Sequence, residues 1–195
     1  MSSEQKAFGK YHDIMLLVVG FFLTSILGGF VGATFSNWTW DHQERARLLA
    51  AERQSAERVL ADVSRLMDKR IYRMRLIVWR MQRGNEEERA NALQDYREVF
   101  YEWNDSLNHN RVLIGRYFGE KAESNFSDGI WRDVRNADSV LTALLRTTSK
   151  EVEVRKELAE RAENKLELLE TSAYNLDRLM SEAIQQGNVG IFKDK

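Results

Sequence analysis

The chain has 195 residues, 29 Lys and Arg against 30 Asp and Glu, a net charge of −1, and neither cysteine nor proline. The balanced charge removes any overall field that would draw in nucleic acid or an acidic substrate, so an electrostatic function has to be local. Without cysteine there is no disulfide framework, thiolate metal site or thiol nucleophile, and without proline long helices can run uninterrupted.

In chain order, a short N-terminal tail (1–13) precedes a predicted transmembrane helix over 14–36. Residues Ile14 to Phe35 carry no charge, and about 20 apolar residues are what a helix needs to cross a hydrocarbon core. Tyr11 before the segment and Trp38 and Trp40 after it place amphipathic rings at both expected interfaces. Val31-Gly32-Ala33 has the small residues of a signal cleavage site. The apolar run, however, exceeds the roughly 7–15 residues of a signal core, which favours a retained anchor. Gly28 and Gly32 then form a G-x-x-x-G pair, and Ser25, Gly29 and Ala33 repeat small residues on the neighbouring line. Both lines are candidates for oligomerisation in the membrane, where small residues let backbones approach. Lys6 and Lys10 precede the span, while Arg45, Arg47, Arg53 and Arg58 follow it. This bias places the C-terminal part in the cytoplasm.

The expected bundle domain covers 37–187. Its first helix runs from Asp41 to about Arg83, with Leu60, Val63, Met67, Ile71, Met74, Val78 and Met81 on one apolar stripe. Gly84 ends it, and Asn85 with Glu88 signals a capping box for the second helix. There Leu93, Tyr96, Phe100, Trp103, Leu107, Asn110, Ile114 and Tyr117 alternate in steps of three and four. After the loop-like SNFSDG, Ile130, Val134, Ala137, Leu141 and Leu144 define a third helix. Thr148 and Glu151 signal a capping box for a fourth, striped by Leu158, Ala162, Leu166, Leu169, Ala173, Leu176 and Met180. Short connections between long amphipathic helices predict an all-α fold: one transmembrane helix followed by an up-down bundle of about four helices. Residues 188–195 read as a C-terminal tail.

Three groups in the bundle are candidates for function. Arg65, Lys69, Arg73, Arg80 and Arg83 fall within about 80° of arc at helical spacing, forming a basic face. Such a face grips phosphates of RNA, nucleotides or lipids, or it pairs with the glutamates of the fourth helix (Glu153, Glu157, Glu160, Glu163 and Glu167). The balanced overall charge favours pairing. Tyr72, Leu76 and Trp79 leave the main stripe and form a candidate contact surface, with core burial as the alternative. Asn104, Asn108 and Arg111 share a helix side and, with Asn110, make a polar line bordered by aromatics. A line of this kind holds a nucleotide, peptide or headgroup, or it is a satisfied network that fixes helix register.

No catalytic motif emerges. Four-helix character with His109 resembles the HEPN ribonucleases, whose motif separates an Arg from a following His by four to six residues. Here Asn104 stands at the five-back position and Arg97 is too far upstream, so no catalytic role is carried across. His12 and His42 flank the span on opposite sides and do not form a metal site. No P-loop, dinucleotide-binding glycine pattern or serine elbow is present, and no cofactor is implied. The expected function is therefore that of a single-pass cell-membrane protein, a homo-oligomer in the lipid bilayer that acts as a tethered interaction, scaffold or membrane-perturbing effector. The alternative is a membrane-tethered nucleic-acid or nucleotide binder, down to a degenerate HEPN-like ribonuclease.

Overall fold

The computed structural model describes residues 3–148 and 151–193. Side-chain surroundings are described for all of these except 3–14, 16–18, 30–39 and 41. Every regular element among the described residues is helical: α1 (Ser3–Arg83), α2 (Glu86–Phe118), α3 (Glu120–Ser124), a π-helical turn (Asn125–Ile130), α4 (Trp131–Leu145), α5 (Val152–Gln186) and a 3-10 turn (Gly190–Phe192). The chain divides into two compact units, Met1–Leu48 and Leu49–Lys195.

The described residues of the first unit all belong to α1. Met15, Val19, Phe21, Phe22, Leu23, Ile26 and Leu27 are all exposed, at 45–70% of their full area. Among the described residues no helix is long and apolar enough to cross a membrane. The expected span also includes residues 16–18 and 30–36, whose side chains lie outside the described set. The Thr24 hydroxyl donates to the Gly20 carbonyl one turn back, so this polar group is satisfied within its own helix.

The second unit is a bundle whose third member is built from α3, the π turn and α4. In α1 the stripe residues Val63, Met67, Ile71, Met74, Val78 and Met81 are buried, and Leu60 packs against the core partly covered. Ala56, Val59, Leu66 and Ile77 are buried as well, widening the apolar face so that this part of α1 serves neighbours on both flanks. Ion pairs and hydrogen bonds fix the directions. Lys69 meets Glu102, Arg73 meets Asp95 and Arg80 meets Glu88, so α2 runs antiparallel to α1. Arg53 reaches the Gln185 carbonyl, Ser64 meets Asp177 and Arg75 meets Glu170, so α5 also runs antiparallel to α1.

The helix ends follow local chemistry. The Asn85 carboxamide accepts from the Glu88 amide at 2.9 Å and the Glu88 carboxylate accepts from the Asn85 amide at 3.0 Å, completing the capping box. The Thr148–Glu151 pair differs from the expected box. Both the amide and the hydroxyl of Thr148 donate to the Glu151 carboxylate, at 2.7 and 2.9 Å. The Glu151 amide donates to the Thr148 backbone carbonyl and not to the hydroxyl, and α5 begins only at Val152 with no side-chain cap. These bonds from Thr148 hold the Glu151 carboxyl below the usual carboxylate range.

SNFSDG, expected as a loop, is helical throughout, and the Trp131 amide donates to the Phe126 carbonyl five residues back. Residues 188–193, the described part of the expected tail, fold onto the bundle. Gly187 closes α5 at φ +71°, where a side chain would be strained. Val189 and Gly190 are then buried, and Lys193 donates to the carbonyls of Gly115 and Arg116 at 2.8 and 3.0 Å. An ammonium at those last carbonyls of α2 is favoured by the helix dipole.

Candidate functional site

The centre of the bundle holds a charge. Arg70 follows Met67 by three residues and precedes Met74 by four, which puts it on the apolar stripe of α1, and it is only 1% exposed. Its guanidinium donates to the Asp138 carboxylate of α4 at 2.6 Å. It also stacks at 5.9, 5.1 and 5.3 Å from the rings of Tyr96, Phe100 and Trp103, all on α2. The Tyr96 hydroxyl donates to the other oxygen of Asp138. Burial, reinforced by that carboxylate and opposed by Arg70, pushes the Tyr96 phenol well above its ordinary pKa of 10.0, so it stays a neutral donor. Arg70 Nε and Nη1 and Trp103 Nε1 are buried without a hydrogen-bond partner, and the aromatic faces supply part of the missing compensation for the guanidinium. Arg70 thus ties α1, α2 and α4 together through one charged group in a water-poor site.

This centre is coupled to the surface through Trp103, whose ring lies 5.9 Å from that of Phe126 in the π turn. Outside Phe126 the bundle opens into a cleft with two lobes that share Ser127, Asp128 and Trp131. The first lobe, about 360 Å³, adds Leu107, Asn108 and Arg111 from α2. The second, about 520 Å³, adds Arg132, Arg135, Asn136 and Ser139 from α4. These volumes lie in the range of small-molecule sites, roughly 300–1,000 Å³. Arg111 is held by Glu123 at 2.8 Å, and Asp128 accepts from the Ser124 hydroxyl at 3.0 Å. The structure therefore brings two members of the expected polar line, Asn108 and Arg111, to a cleft. Asn104 does not line it, and Asn110 is buried, at 8% exposure.

The other candidate groups sit elsewhere. Lys69, Arg73 and Arg80 of the basic face are engaged by Glu102, Asp95 and Glu88 of α2 at 2.5–2.7 Å, while Arg65 and Arg83 are exposed. The expectation that this face would meet the glutamates of the last helix is corrected: α2 lies on that side. Glu163 and Glu170 of α5 pair instead with Arg75, at 3.5 and 3.1 Å. Tyr72 and Trp79 are 61% and 43% exposed, while Leu76 is half-buried against the core. Arg73 and Arg80 lie over those two rings at 5.7 and 4.5 Å, making an aromatic patch edged with cations. In the first unit Ser25 is exposed, and a methyl added at Gly28 or Gly29 would meet nothing within 4 Å. The surroundings of Gly32 and Ala33 lie outside the described set. His109 is exposed.

Sequence reasoning missed Arg70, Asp138 and the α4 wall of the cleft. The signals were present. Arg70 stands in register with the buried methionines, and Ser127, Trp131, Arg135 and Ser139 repeat every four residues beside Asp128, Arg132 and Asn136, a spacing that puts each row on one helix face. No cluster of three metal-ligating side chains occurs among the described residues. No family model matches the chain, and neither characterised proteins nor solved structures offer a match.

Proposed function

We propose that the chain is a single-pass cell-membrane protein, anchored by the 14–36 segment, whose bundle serves as a tethered interaction or membrane-perturbing module of a homo-oligomer. The observation that carries this reading is the outward display of apolar side chains in the first unit. Met15, Val19, Phe21, Phe22, Leu23, Ile26 and Leu27 are exposed and spread over about 240° of arc at 3.6 residues per turn. A helix apolar on so many sides needs a nonaqueous surrounding. The bond from Thr24 to the Gly20 carbonyl supports it, because a hydroxyl in hydrocarbon has to find its partner internally. The open faces of Gly28 and Gly29 leave room for a second copy at close approach, and the basic flank after the span favours a cytoplasmic bundle. The Tyr72 and Trp79 patch, rich in the residue types of binding hot spots, is the surface offered to a protein partner.

The alternative, a nucleic-acid or nucleotide binder working through the basic face, draws less support because Lys69, Arg73 and Arg80 already face carboxylates of α2. Fractionation decides the main reading. The full chain should remain in the membrane pellet after alkaline carbonate washing and leave it only in detergent. Recovery in the detergent-free supernatant would sink the proposal. In detergent, changing Gly28 and Gly32 to Leu should reduce the mass of the particle; an unchanged mass would remove the span from the assembly.

A further inference from the structure

The two-lobed cleft over the π turn has the chemistry of a ligand site, and its two halves differ. Leu107 and Phe126 give the first lobe an apolar floor, with the Asn108 carboxamide at its edge. The second lobe is polar, with the guanidinium groups of Arg132 and Arg135 and the Ser139 hydroxyl. Trp131 and Asp128 line both, so one flat ring is shared by a mixed lobe that holds Leu107 and Phe126 and a polar lobe in which two guanidinium groups outnumber one carboxylate. The cations are not equally committed: Arg111 is engaged by Glu123 at 2.8 Å, whereas Arg132 stands 3.6 Å from its neighbour Asp133 and Arg135 is exposed. The backbone beneath is a π-helical turn, a rare conformation concentrated at functional sites. With more than four residues per turn it brings Ser127 and Asp128 onto the face that α4 continues through Trp131, Arg132 and Arg135.

We propose that this cleft binds a nucleotide, its base against Trp131 in the first lobe and its phosphates on Arg132 and Arg135 in the second. An aromatic ring stacks any base without regard to its identity. The Asn108 carboxamide offers a donor and an acceptor to a base edge, and guanidinium forks match phosphate oxygens in pairs. A simple anion would leave Leu107 and Phe126 of the first lobe unused, and an apolar ligand would leave the exposed Arg135 guanidinium unused. The proposal is independent of the membrane reading, so either can fail while the other stands.

The test is equilibrium binding to the full chain in detergent, using ATP, adenosine and tripolyphosphate as separate probes. ATP should bind saturably, with adenosine and tripolyphosphate each at least tenfold weaker. Arg135→Ala should weaken ATP and tripolyphosphate by about tenfold, the equivalent of one charge-assisted hydrogen bond, and leave adenosine unchanged. Trp131→Ala should weaken ATP and adenosine, and Trp131→Phe should restore most of the loss. Helical circular dichroism identical to the parent chain confirms that each variant is folded. No saturable ATP binding would overturn the proposal. Tripolyphosphate binding as tightly as ATP would reduce the cleft to an anion site and overturn it too, as would ATP binding indifferent to both Arg135→Ala and Trp131→Ala.

Discussion

Two stretches of α1 have opposite relations to their surroundings. Between Met15 and Leu27 the large described side chains are apolar and exposed, with no charge among them. Between Ala56 and Met81 the aliphatic and methionine stripe is buried, Tyr72 and Trp79 stay exposed, and Arg70 is buried among the stripe residues. The helical backbone satisfies itself in both stretches. Both bond a hydroxyl to a carbonyl one turn back, Thr24 to Gly20 and Ser64 to Leu60, and what differs is that the second also buries a charge. The first keeps Thr24 by bonding it to its own helix. The second keeps a full charge by drawing a carboxylate from α4 and three rings from α2 around it. A buried charge is tolerated where neighbouring elements are specified to meet it, and it belongs to the bundle for that reason.

The sharpest way to break the contrast is to remove that charge. Arg70→Ala strands Asp138 and empties the centre of three aromatic rings, and taking one partner from a buried pair costs about 3–5 kcal/mol. Chemical denaturation of the full chain in detergent should show a loss of this size. The double variant Arg70→Met with Asp138→Leu should recover most of it, because an apolar replacement of a buried pair is often neutral or better. Equal losses in the single and double variants would mean that the pair contributes shape and not charge.

The converse change puts an arginine where none is accommodated. Ile26→Arg sets a guanidinium on the exposed apolar face of the first stretch. If that face lies in lipid, insertion should become less favourable by about 2.5–3.5 kcal/mol, seen as a rise in the carbonate-soluble fraction. A chain that fractionates as the parent does would place Ile26 outside the hydrocarbon.

Much of this contrast was legible in the residues. The stripe from Val63 to Met81, the aromatic seam of α2 and the Asn85–Glu88 box follow from periodicity and capping chemistry, which are local properties. Arg70 was not legible, because a guanidinium on a stripe reads as a surface group until Asp138, Phe100 and Trp103 are brought around it from far along the chain. SNFSDG reads as a loop because Asn, Ser, Asp and Gly favour turns. Its π-helical pairing depends on what Phe126 and Ile130 bury beneath it. The partners of the basic face were misjudged because glutamates on two helices fit equally well in sequence, and only the packing order selects α2.

The smallest effect concerns a carboxylate that lacks a cation. Asp177 on α5 is half-buried, and burial raises its pKa above the ordinary 3.8, with nearby Asp68 adding and the Ser64 hydroxyl opposing. Ser64 Oγ lies 2.7 Å from the Asp177 carboxylate and 2.8 Å from the Leu60 carbonyl, so protonated Asp177 can donate to Ser64 while Ser64 donates to Leu60. The folded state therefore holds the Asp177 proton more tightly than the unfolded chain does. Stability from this group is present below pH 3.8 and is lost as pH rises through the elevated folded value. Asp177→Asn keeps the shape and a donor toward Ser64 and cannot ionise. The variant should be modestly more stable than the parent at neutral pH, and the gain should shrink as the pH is lowered toward the ordinary carboxylate range. Denaturation curves at several pH values distinguish this from a packing effect, which would leave the difference constant. In contrast to Arg70, whose charge is met by α4, the α1–α5 seam carries an acid that is best accommodated without its charge.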